Sequence, residues 1–152
     1  MENQKLGCLI LAAGCSSRFQ SNKLTALFEG KPLIRRTLEA VPTDVFSSVT
    51  VVTQYDGVEA LAREFGFACL RNDRPDLGQS RSVALGTAAM ADCDGIAIEF
   101  DLEKDTVKQI LRCAKKYNKK VYAAISNMSI AMERRAFLQE IDCFVCNQQE
   151  AG

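Results

Sequence analysis

A chain of 152 residues with 47% apolar and 25% charged side chains has the material for one compact domain and is too short for two complete α/β enzymes. Its 19 basic and 19 acidic residues cancel, so no net positive field draws it to nucleic acid or to an anionic membrane. No apolar stretch approaches the ~20 residues of a membrane span, and the absence of histidine excludes a Cys–His or Ser–His nucleophile pair.

Apolar runs alternate with helical periodicity, the pattern of repeated βαβ units. Strands are expected near 6–11, 48–53, 67–71, 95–100, 120–125 and 142–146, and helices near 32–41, 56–65, 79–91, 103–117 and 129–139. The fold class this implies is α/β: a three-layer, open, mostly parallel sheet with helices on both faces. The first apolar run, after Lys5, is interrupted by glycine and continues into a turn. A signal peptide is therefore not expected, and a cytoplasmic location is. Pro32 suits the first turn of the first helix. In the fourth helix Val107, Ile110, Leu111 and Ala114 fall at i, i+3, i+4, i+7 and form one buried stripe, leaving Lys108, Lys115 and Lys116 to solvent.

Seven cysteines are scattered through the chain. Cys8, Cys69 and Cys143 lie in strand-like runs, where a reduced thiol behaves as a small hydrophobe. The Cys143-x-x-Cys146 pair lacks both histidine and a second pair at zinc-ribbon spacing, so a structural role is expected over a metal site. Cys15 lies in the first turn with no base beside it.

That first turn carries the clearest functional pattern. Residues 9–24 read LILAAGCSSRFQSNKL: a buried strand, a small-residue loop whose N–H groups can face an anion, then Arg18 and Lys23 within reach of one polyphosphate. Taken alone, the pattern also suits a plain strand–turn–helix connection with both cations solvated. L-A-A-G-x-S-x-R followed by K-L, with GKPLIRRTLEAV (30–41), SSVTVVTQ (47–54) and NDRPDLGQSRSVALG (72–86), resembles the MobA/MocA-like nucleotidyltransferases, including the molybdenum cofactor cytidylyltransferases. Gln20 departs from the glycine usual in that loop.

The resemblance implies a Rossmann-like nucleotidyltransferase half over residues 1–94. It implies binding of a nucleoside triphosphate, CTP by the nearest likeness, with Mg2+, and transfer of CMP to the phosphate of molybdopterin. Leu11, Ala12, Ala13, Gly14 and Ser17 would lie against the nucleotide. Arg18 would hold the β- and γ-phosphates, Lys23 would reach the α-phosphate, and Gly78, Gln79 and Ser80 would lead a helix N-terminus to base or ribose. Ser82 matches by register only. Asp73 and Asp76 read as turn residues with local side-chain hydrogen bonds.

After residue 94 the family's G-D-x-P strand end is missing. IAIEF (96–100) runs instead into Asp101-Leu102-Glu103. Asp101 is the candidate metal ligand, arriving one residue early, and reads more simply as a helix N-cap. From Gly95 onward the chain resembles pfkB-type (ribokinase-like) kinases. VYAAISNMSIAMERRAFLQEIDCFVCNQQEAG (121–152) is similar to pseudouridine kinases, with Asn147 and Glu150 in the N-x-x-E pattern. The expectation is a composite, 1–94 and 95–152 sharing one sheet, with impaired catalysis and an open edge at Phe144 and Val145. A kinase fragment and a non-catalytic nucleotide-binding remnant are the alternatives.

Overall fold

The computed structural model describes residues 5–15, 22–99, 102–125 and 128–146. In chain order the elements are β1 (Leu6–Ala12), a single 3-10 turn (Lys23–Thr25), β2 (Leu27–Phe28), β3 (Lys31–Pro32), α1 (Leu33–Glu39), β4 (Ser48–Thr53), α2 (Asp56–Glu64) and β5 (Ala68–Arg71). A second 3-10 turn (Pro75–Leu77) leads to α3 (Gln79–Ala89), β6 (Gly95–Glu99), α4 (Lys104–Lys116), β7 (Lys120–Ile125), α5 (Met128–Glu133), α6 (Arg135–Leu138) and β8 (Cys143–Cys146).

Six strands form one sheet in the order β5-β4-β1-β6-β7-β8, and every pairing in it is parallel. Parallel strands need covered faces, and β4 is accordingly an almost unbroken buried run. Alternation along β1 sends Cys8, Ile10 and Ala12 to one face, where Ile34 and Leu38 of α1 and Val58 and Ala62 of α2 cover them. Leu11 points the other way, into a second core formed by Val83 of α3 and the Val107, Ile110, Leu111, Ala114 stripe of α4. From β1 the chain runs outward through β4 to β5, then returns to β6 on the other side of β1 and runs outward through β7 to β8. β1 is therefore flanked at a topological switch point.

The α/β class and the parallel sheet agree with the sequence reading. Three details differ. The 129–139 helix is two short ones, α5 and α6, divided at Arg134, whose φ of −106° and ψ of 28° leave the helical region. Pro32 ends β3 and caps α1 rather than lying within its first turn. Strands β2 and β3 form a small hairpin turned by Glu29 and Gly30, both at positive φ (51° and 78°). That is the two-residue geometry that matches strand twist.

Contact with β6 is brief. The β1–β6 ladder consists of Leu6↔Gly95 and Gly7↔Ile96, whereas β1–β4 pairs over six residues, from Gly7↔Ser48 to Ala12↔Thr53. Past Gly7 the two strands separate, and a cavity of about 320 Å3 lies between them. Its walls include Leu9, Leu11, Val83, Ile96, Ile98 and Ile110.

Candidate functional site

Ligands of open α/β sheets bind beyond the carboxyl ends of the strands at the switch point. Here that place holds a cleft of about 230 Å3 lined by Leu11, Ala13, Gly14, Cys15, Pro75, Gly78, Gln79 and Ser82. One wall is the loop leaving β1. The other is the entry to α3, an 11-residue helix whose N-cap, Gly78, makes no side-chain capping bond and holds φ at 81°. An uncapped helix start offers N–H groups and the positive end of the helix dipole to a ligand. A residue with a Cβ would be strained at that φ, so glycine suits the tight entry.

The two walls are fixed by different means. On the α3 side, Asn72 is 1% exposed and sits just beyond β5. Its Nδ2 donates to Ser82 Oγ at 2.9 Å, its Oδ1 accepts from Arg74 N at 3.0 Å, and its own N–H reaches Thr53 O at 2.8 Å. One amide side chain thus joins β5, the 72–78 turn and α3. Asp73 and Asp76 lie in the turn that the sequence suggests. They pair with Arg81 and Arg74 at 2.8 Å each, while Asn72 supplies the turn's side-chain bond. The hydrogen bond from Arg81 holds the Asp73 carboxyl below its usual range, and that from Arg74 does the same for Asp76. On the β1 side, the loop is held by the residues at and just past the end of β4: Gln54 Nε2 donates to Ala13 O at 2.9 Å, and Tyr55 Oη to Gly14 O at 2.6 Å.

Of the residues singled out in the sequence, Leu11, Ala13, Gly14, Gly78 and Gln79 meet at this cleft, joined by Ser82. Ala12 is 1% exposed and packs into the α1–α2 core. Ser80 is exposed on the first turn of α3, its hydroxyl bonded to Leu77 O at 3.4 Å, and does not line the cleft. Lys23 is exposed on the 3-10 turn that packs near α1 and α2, and it too is outside the lining. Ser17, Arg18, Gln20, Asp101, Asn147 and Glu150 lie outside the described residues. Asn72, Gln54 and Tyr55 were not legible as site residues. Their one outward signal was position, immediately past the carboxyl end of a parallel strand, β4 for Gln54 and Tyr55 and β5 for Asn72.

The candidate metal ligand, Asp101, lies outside the described residues. The cleft carries no carboxylate among these residues, and no cluster of three or more Cys, Asp or Glu side chains suited to a metal occurs among the described residues. Of the cysteines thought to be strand core, Cys8 and Cys69 are half-buried. Cys143 is exposed, because β8 is an edge strand. No helix among the described residues is long and apolar enough to cross a membrane.

A doubly wound sheet with a switch-point cleft between a small-residue loop and a helix start defines the Rossmann-like class. The family model described as the MobA-like NTP transferase domain matches residues 8–142, and the chain belongs to that family. The match extends from β1 across the 94–95 region to the residue before β8. Among solved structures, a carbohydrate kinase from Agrobacterium tumefaciens is similar, with a TM-score of 0.54 and 17% identity. The likeness covers 97% of this chain and 62% of that one. At that identity it bears on the fold alone, and this chain spans under two thirds of the other's length. No curated protein matches the chain.

Proposed function

We propose that this chain binds a nucleoside triphosphate, CTP favoured, at the cleft between the 11–15 loop and α3. The reaction would be the family's nucleotidyl transfer. An acceptor phosphate oxygen, of the molybdopterin class by resemblance, attacks the α-phosphorus, and the bond to the β-phosphate oxygen breaks to release pyrophosphate. The observation that carries this reading is the placement of the small-residue loop and the uncapped start of α3 on opposite walls of one cleft. The family match over residues 8–142 supports it.

The chain's own residues would divide the work by charge and reach. The α3 start suits a polar or anionic portion of the nucleotide. At about 230 Å3 the cleft is smaller than the ~300–1,000 Å3 usual for a whole ligand, so it would take one portion, with the rest lying along the exposed segment that carries Lys23. Lys23 is assigned to the α-phosphate, where charge grows during transfer, and Arg18 to the β- and γ-phosphates, where a forked guanidinium suits bidentate contact. Magnesium, when bound, would offset charge on the transferring phosphoryl group. The described lining does not supply its ligands, and Asp101 is the one candidate. With the G-D-x-P strand end replaced, transfer should be slow or absent, since a displacement of about 1 Å can cost ~10²-fold in rate.

Calorimetric titration with CTP, GTP and ATP in magnesium tests the binding. CTP should give the largest heat, and Lys23→Ala should diminish it. Equal titrations for the wild type and an Arg18→Ala, Lys23→Ala double variant would overturn the assignment. A pyrophosphate-release assay tests the impairment. Brisk turnover abolished by Asp101→Asn would show that Asp101 holds the metal after all.

A further inference from the structure

Three consecutive side chains at the end of β4 take three consecutive carbonyls at the end of β1 and in the loop after it. Thr53 Oγ1 donates to Ala12 O at 2.9 Å, Gln54 Nε2 to Ala13 O at 2.9 Å and Tyr55 Oη to Gly14 O at 2.6 Å. Each partner lies 41 residues from its carbonyl, the same offset as Ala12↔Thr53, the last pair of the β1–β4 ladder. Where the backbone ladder stops, side chains carry its register two residues further. Secondary contacts brace the set. Tyr55 N donates to Thr53 Oγ1 at 3.1 Å, and Gln54 Nε2 also lies 3.3 Å from Tyr55 Oη and 3.7 Å from Cys15 Sγ.

The consequence follows from peptide geometry. No peptide bond among the described residues is cis, and in a trans peptide the N–H points opposite to the preceding C=O. With the Ala13 and Gly14 carbonyls drawn to Gln54 and Tyr55, the N–H groups of Gly14 and Cys15 must face away from those side chains. The cleft is lined by Ala13, Gly14 and Cys15 but by neither Gln54 nor Tyr55. Among the described residues nothing accepts from these two N–H groups. Two adjacent N–H groups aimed at one cleft make an anion-binding nest.

We propose that Thr53, Gln54 and Tyr55 form a rack of positioning residues that holds the Gly14 and Cys15 N–H groups toward a phosphate of the bound ligand. The proposal rests on the triphosphate reading above and adds to it the residues that pre-set the loop. Preorganised donors need no reorganisation when charge arrives, which is why a rack affects affinity for an anion rather than the fold as a whole. Burial raises the Tyr55 hydroxyl above its ordinary value, with the neighbouring Cys15 adding to the shift. It therefore stays a donor throughout the neutral range.

Inorganic tripolyphosphate is the probe, followed on the full chain by the amide resonances of Gly14 and Cys15 and by calorimetry. Two near-isosteric variants, Tyr55→Phe and Gln54→Met, each delete one donor. The wild type should show both resonances moving on titration. Each variant should bind about fivefold to tenfold more weakly, the range one hydrogen bond of ordinary net strength supplies. The amide spectra of β6 and β7 and the melting temperature should stay close to wild type, a separation that a merely structural role would not produce. If both variants bind tripolyphosphate as the wild type does while Lys23→Ala does not, the rack is overturned and the triphosphate reading stands. If the wild type itself takes up no tripolyphosphate, both fall.

Discussion

Asn72 shows how much of the site rests on single side chains. Buried and bonded on both ends of its amide, it cannot be shortened without orphaning Ser82 Oγ and Arg74 N from their present partners. Asn72→Ala should therefore cost about 1–3 kcal/mol, read as a shift in the urea midpoint with an unchanged slope. A midpoint within error of wild type would mean that water replaces both bonds. The Asp73–Arg81 pair behaves differently because it is exposed. Its carboxyl is depressed chiefly by the Arg81 hydrogen bond, so its contribution is present above the unfolded carboxylate value of ~3.9 and is lost as pH falls through the lower folded value. Exposed pairs contribute little. The expected signature is accordingly in titration rather than stability: Arg81→Gln should move the Asp73 carboxyl resonance midpoint upward, and an unmoved midpoint would remove Arg81 as the cause.

At the scale of elements, α3 lies so close to β1 that one methyl group decides the packing. A Cβ at Gly86 would come within 2.2 Å of Leu9 Cδ1, 2.7 Å of Cδ2 and 3.0 Å of Cγ, so the whole Leu9 side chain would have to move. Gly86→Ala gains helix propensity of roughly 1 kcal/mol and should still lose about 1–3 kcal/mol by overpacking. Leu9→Ala in that background should recover part of the loss, and strict additivity of the two changes would refute the clash. The strands and long helices were legible because burial imposes period 2 or 3.6 on the sequence, as in the α4 stripe. The β2–β3 hairpin was not, since Glu29-Gly30 is a less usual pair for its turn than Asn-Gly. The division at Arg134 left no mark either, because Ile130, Ala131, Phe137 and Leu138 keep a helical spacing across it. At the site, the loop was visible as small residues. The Thr53–Gln54–Tyr55 set was invisible, because its partners lie 41 residues away and depend on a strand register that an apolar pattern does not encode.

On the scale of the whole molecule the sheet is unevenly joined. The β5-β4-β1 side holds together through six β1–β4 pairs and four β4–β5 pairs. The β6-β7-β8 side joins β1 through two. Its attachment is reinforced at one end, where Asp94 N donates to Lys5 O at 2.7 Å and Lys5 N to Asp94 Oδ2 at 2.8 Å. Past that end the seam opens into the apolar cavity. The outer margin is also thin: β8 is an edge strand with Phe144 49% and Val145 69% exposed, and an apolar edge invites pairing with a second chain. Concentration-dependent association in light scattering should therefore fall in Val145→Lys. Unchanged association would place the contact elsewhere.

The seam makes a stronger demand on native-state hydrogen exchange. Opening free energies follow local contact and ladder continuity, so the amides of β7 should exchange through a partial opening that leaves β4 protected. Asp94→Ala, which removes the side-chain bond from Lys5 N and leaves the backbone one, should widen that difference by accelerating β6 and β7 while β4 keeps its rate. Equal protection of β4 and β7, moving together in the variant, would mean that α3 and α4 bind the two sides into one cooperative unit despite the short ladder.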